Sequence, residues 1–134
     1  MTIVICADKN GGTLFNNRRQ SRDSKLIEDM VSFSRDKAIF ASPYSEKLFE
    51  GLDVKLKVRD NPIRASKRDS VCFIENVSPK EYKKEIDEVV LYHWNRHYPA
   101  DFSFDLDMEG YTLISTVELV GSSHDKITKE VWKK

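Results

Sequence analysis

The stretch EVVLYHWNRHYPADFSFDLDMEGYTLISTVEL, residues 88–119, and the closing ITKEVWKK, residues 127–134, decide the fold. Glu88 to Trp94 is an apolar, β-branched run and predicts a strand. Tyr111 to Leu119 and Ile127 to Trp132 predict two long strands around the turn-forming Gly121-Ser122-Ser123-His124-Asp125, an antiparallel hairpin. The chain therefore closes on a strand followed by a hairpin, and everything upstream must supply the sheet that this hairpin extends.

Working back from there, short strands alternate with helices. Thr2 to Ala7 reads as a strand buried on both faces. Asp8-Lys9-Asn10-Gly11-Gly12 ends it, and the eight polar residues Asn16 to Asp23 predict a loop. Asp23 or Ser24 then N-caps a helix whose Leu26, Ile27, Met30, Val31 and Phe33 share one face. Ala38 to Ala41 predicts a strand, followed through Pro43 by a brief helix carrying Leu48 and Phe49 and closed by Gly51. Asp53 to Val58 alternates as a half-buried strand, Arg59 to Asp69 reads as an exposed loop, and Val71 to Ile74 as a buried strand. Ser78-Pro79-Lys80-Glu81 is a capping box opening a helix to about Ile86. Crossover helices between strands predict a mostly parallel sheet, and the hairpin adds an antiparallel edge.

Composition limits the function classes. The 134 residues fit one domain, 1–134, and 40% hydrophobic residues suffice for a core. Twenty-two basic residues balance twenty-two acidic ones, which argues against a dedicated nucleic-acid or membrane-surface protein. No apolar run spans a bilayer, and the opening residues do not read as a signal peptide. Cys6 and Cys72, both in apolar runs, read as reduced core thiols, so a cytoplasmic location is expected.

The order of elements resembles that of dihydrofolate reductase. TIVICADKNGGTLFNN is similar to that family's first strand and following loop, residues 88–119 to its penultimate-strand region, and ITKEVWKK to its last strand. The resemblance implies an α/β, dihydrofolate reductase-like three-layer sandwich with a mostly parallel central sheet and a C-terminal antiparallel hairpin. Its chemical motifs do not carry over. The family's Pro-Trp pair is matched by Arg19-Gln20-Ser21-Arg22. Its carboxylate early in the first helix falls near Lys25 or Leu26, flanked by Asp23 and Glu28. Its paired glycines, which let backbone approach the cofactor phosphates, are matched by Glu75-Asn76, and its Gly-Arg-x-Thr by Ala41-Ser42-Pro43-Tyr44. The resemblance thus implies the fold without that activity.

Two groups remain as site residues. Arg18, Arg19, Gln20 and Ser21, with Arg22, form either an anion-binding loop or a solvated one. Trp94, Asn95 and Arg96 end a buried strand, where α/β ligand clefts sit, and Trp94 and Arg96 either sandwich a planar ring or cover the core. His93 and His97 lack the helical placement and third ligand of a zinc site. Ser122-Ser123-His124-Asp125 reads as turn chemistry rather than a catalytic triad. No catalytic residue, metal or cofactor is assigned. The expectation is a small anionic or planar ligand, or a protein partner, held by these residues in the cleft. An alternative is an NADPH-dependent reductase of a pterin-like substrate with Asp23 or Glu28 as proton donor. A second alternative, an RNA-associated protein, requires basic residues to cluster on one face.

Overall fold

A computed structural model describes all 134 residues. Strands β1 (Thr2–Ala7), β4 (Ile39–Ala41), β5 (Leu56–Val58), β6 (Val71–Phe73), β7 (Glu88–His93), β9 (Thr112–Leu119) and β10 (Ile127–Lys133) form one sheet in the order β5-β4-β6-β1-β7-β10-β9. The first five of these are mutually parallel. β10 runs antiparallel to both β7 and β9, so the C-terminal hairpin adds the antiparallel edge that its sequence predicts. No helix is long and apolar enough to cross a membrane.

Period-two alternation divides the core between the two faces of this sheet. Val4, Val71, Phe73, Val90 and Tyr92 face one cluster, completed by Leu26, Ile27 and Met30 of helix α1 (Ser24–Ser34). Ile3, Ile5, Cys72 and Val89 face the other, with Ile63 of the one-turn helix α2 (Pro62–Ala65) and Ile86. Two 3₁₀ segments, Pro43–Phe49 and Lys80–Glu85, complete the outer layers.

Several local expectations need correction. The strand over residues 53–58 is confined to Leu56–Val58, because it pairs only with the three-residue β4. The loop predicted over residues 59–69 contains α2, which Asn61 caps by accepting from the Arg64 N–H, with Pro62 in the first turn. The segment after Ser78 coils as 3₁₀ rather than α-helix. Most consequentially, the polar run after Asn16 is not a simple loop. β2 (Gly12–Phe15) turns through Asn16 and Asn17, both at positive φ, into the two-residue β3 (Arg18–Arg19). β2 also pairs with β8 (Phe102–Ser103), giving a small second sheet.

Candidate functional site

The β2–β3 hairpin aims Arg19 inward at the carboxyl end of β6. The guanidinium makes a two-pronged pair with Glu75, Nε to Oε2 at 2.9 Å and Nη2 to Oε1 at 3.1 Å. Tyr44 clasps it from the side. Its hydroxyl accepts from the Arg19 N–H at 2.6 Å, its carbonyl accepts from Nη2 at 3.2 Å, and its ring centroid lies 4.5 Å from the cation. The Ser45 hydroxyl donates to Glu75 Oε1 at 2.7 Å, and Ser42 donates to Asn76 Oδ1 at 3.1 Å. Burial alone would weaken the Arg19 cation, but the hydrogen bonds and charge of Glu75 override it and raise its pKa. Beside this pair, burial and the Glu75 charge push the Cys6 thiol well up, which leaves it unreactive.

A second polar cluster joins the start of α1 to the β9–β10 turn. Asp23 is the N-cap, its Oδ1 accepting from the N–H groups of Lys25 and Leu26. The same oxygen accepts from Ser122 N–H at 2.9 Å, while Oδ2 accepts from the N–H groups of Ser123 at 2.8 Å and His124 at 3.2 Å. Both serine hydroxyls and His124 Nδ1 add further bonds. Burial works against the Asp23 anion, but this convergence of donors outweighs it and holds the carboxyl far below its ordinary value of 3.8. His124 is itself buried. Its Nε2 lies 3.0 Å from the Tyr98 hydroxyl and 3.3 Å from Ser21 Oγ, which suits a ring that donates from Nδ1 and accepts at Nε2. Trp94 stacks on the imidazole with centroids 4.6 Å apart.

These contacts distribute the seven sequence-predicted residues unevenly. Arg18, Arg19 and Gln20 line a cleft of about 520 Å³ together with Phe15, Asn16, Tyr98 and Pro99. Ser21 and Trp94 lie in the His124 network beside it. Trp94 is 4% exposed, and of its two readings the structure shows the core-covering one, with the indole against His124 and the core. The Asn95 amide is tied to Lys126 O and Thr128 Oγ1, and the exposed Arg96 offers only its carbonyl, to Lys9 N–H. His93 and His97 go separate ways, to Glu130 and Asn10. The Asp23–His124 contact escaped sequence reasoning because its partners lie 101 residues apart. The run of small polar residues around His124 is the one local trace of it.

No family model matches the chain, and no curated protein sequence matches it either. Solved structures do. A dihydrofolate reductase from Enterococcus faecalis, solved in complex with NADP(H) and RAB-propyl, superimposes with a TM-score of 0.69. The match covers 98% of this chain and 94% of that one at 12% sequence identity. The fold is that of dihydrofolate reductase. At this identity the likeness carries the architecture, including the strand order and the closing hairpin, and not the chemistry.

Proposed function

We propose that this dihydrofolate reductase-like protein is a binding module without hydride-transfer activity, which takes a small planar anion between the β2–β3 hairpin and the Tyr98–Pro99 segment. The reading rests on that cleft. Arg18 makes no ion pair there, it pairs across the hairpin with Phe15, which is 43% exposed, and Tyr98 lines the same cleft. A cation between aromatic walls suits a flat ligand with a carboxylate or phosphate. Gln20 lines the same cleft, its amide nitrogen donating to Asp8 Oδ2 at 3.1 Å and to the Pro99 carbonyl at 3.4 Å, which holds that wall in place.

Two features weigh against the reductase. Where the resembled family uses glycines to admit a pyrophosphate, Glu75 presents a carboxylate already clamped by Arg19 and Ser45. A ring-protonating acid needs a raised pKa, whereas Asp23 is held low and both its oxygens are occupied by this chain's own donors.

The test is titration with flavin mononucleotide and with folate, both planar and anionic, followed by intrinsic fluorescence and melting temperature, with NADPH in parallel. The proposal expects saturable binding of at least one planar anion, weakened tenfold or more by Arg18→Ala, and no shift with NADPH. Saturable NADPH binding with turnover of dihydrofolate would overturn it.

A further inference from the structure

On the opposite end of the molecule, at the amino ends of the strands, lies a separate cleft of about 540 Å³. It exists because the outer layer on that face is thin. α2 ends after four residues as Ser66 turns extended, and the 3₁₀ segment Lys80–Glu85 is kinked at Tyr82. The gap between them is floored by Met1 and Ile63, both buried.

Its rim concentrates charge of one sign. Arg64, Lys67, Arg68 and Lys84 line it, and none makes an ion pair, although seven such pairs engage charged groups elsewhere. Only two carboxylates share the lining. Asp87 is held by the Met1 ammonium at 2.7 Å, leaving Glu85 as the one free counter-charge against four cations. Tyr82 adds an aromatic wall, its hydroxyl fixed by the Asn61 amide at 3.1 Å. A neighbouring cleft shares Arg68 and Asp87 and adds Lys37, Lys133 and Lys134 against Asp69 and Glu88, with Lys133 paired to Glu88 at 3.5 Å, so its charges partly balance and the excess of cations belongs to the first rim. The chain as a whole carries no net charge, so this is local segregation. Unpaired like charges around a concavity repel one another in the empty protein and converge on an anion that enters it.

We infer that this cleft is a binding site for a small molecule bearing a diphosphate group, distinct from the planar-anion cleft at the other end of the sheet. Two linked phosphates engage cations from α2, from the Lys67–Arg68 loop and from Lys84 at once, which a single monovalent anion cannot do. The volume leaves room for a further moiety against Tyr82.

The test uses the full chain and inorganic pyrophosphate, with ADP as a second probe, read by calorimetric titration and by melting temperature at low salt. Pyrophosphate is expected to bind saturably and raise the melting temperature by several degrees. Arg68→Gln and Lys67→Gln each weaken this at least fivefold, while Arg18→Gln leaves it unchanged. Without ligand, Arg68→Gln melts close to wild type, because the repulsion removed from its cationic neighbours is offset by a lost attraction to Asp87. ADP binding tighter than pyrophosphate, by a margin that Arg18→Gln keeps, supports the role of the Tyr82 wall. An equal effect from chloride at matched ionic strength, or undiminished binding by Arg68→Gln, would sink the proposal. Tighter binding of a single-stranded oligonucleotide than of pyrophosphate, with a steep salt slope, would also overturn it and make the face a nucleic-acid surface. Arg18 lies at the other cleft, so failure of this site and failure of the planar-anion reading are read separately.

Discussion

Replacing Asp23 with asparagine tests the claim that this carboxylate is a structural latch. An asparagine has one acceptor oxygen where Asp23 has two. With that oxygen toward Lys25, Leu26 and Ser122, the amide nitrogen faces the Ser123 and His124 N–H groups; flipped, it faces the other three. Either orientation therefore strands at least two backbone donors in a buried site. At about 1–3 kcal/mol for each stranded group, Asp23→Asn should cost roughly 2–6 kcal/mol. For a chain of this size that is a fall in melting temperature of about 7 °C or more. Asp125→Asn, at the exposed neighbour of His124, should stay within about 0.5 kcal/mol. The pH dependence supplies a second arm. The folded pKa of Asp23 is depressed, so its stabilising contribution is present above 3.8 and is lost as pH falls below that value. The gap between wild type and Asp23→Asn should thus narrow by about 1 kcal/mol near pH 3, with asparagine as the pH-insensitive reference. Calorimetric melts of the three proteins across pH decide it. A loss under about 3 °C at neutral pH, or a gap that widens in acid, would refute the latch.

Three further outcomes follow from the same contacts. Glu75→Leu should destabilise by about 3 kcal/mol by leaving the Arg19 cation unpaired, while the double variant Arg19→Met with Glu75→Leu should recover most of the loss in chemical denaturation. Gly121→Ala would drive a Cβ into the Asp23 carboxylate and the His124 carbonyl, so it should cost at least about 2 kcal/mol in the same assay, and more than Gly51→Ala, which meets nothing within 4 Å and carries only the backbone strain of its φ of 79°. β9 is an edge strand with Leu113, Ile114 and Val117 all over 40% exposed; Val117→Lys should leave the melting temperature unchanged and reduce aggregation on heating, measured by light scattering.

The sheet was legible because its signals are local. Thr2–Ala7, Val71–Phe73 and Glu88–His93 are short apolar runs buried on both faces, and the hairpin announces itself through two long strands and a small polar turn. β2 and β3 were not legible. Arg18 and Arg19 have no strand propensity to speak of, and they pair only because Asn16 and Asn17 both adopt positive φ and return the chain on itself. α2 hid for a related reason: four residues cannot display a helical period, so only the Asn61-Pro62 start signal was available, inside a run otherwise crowded with charge.

The site divides along the same line between local and long-range information. Asp23 was readable as a cap, since capping is settled within three residues, but its larger task of holding the Gly121–His124 turn depends on a contact across most of the chain. Arg19 looked like a free anion-binding group because its partner, Glu75, lies 56 positions away. The structure joins two observations: the carboxylate at the end of β6 is neutralised by the arginine that sequence alone leaves without a partner. A carboxylate at that position without Arg19 would be a largely buried unpaired charge, so the two residues stand or fall together. Among the loop arginines this leaves Arg18, the exposed strand neighbour of Arg19, as the cation that lines this cleft without an ion pair, and the proposed planar-anion site rests on it.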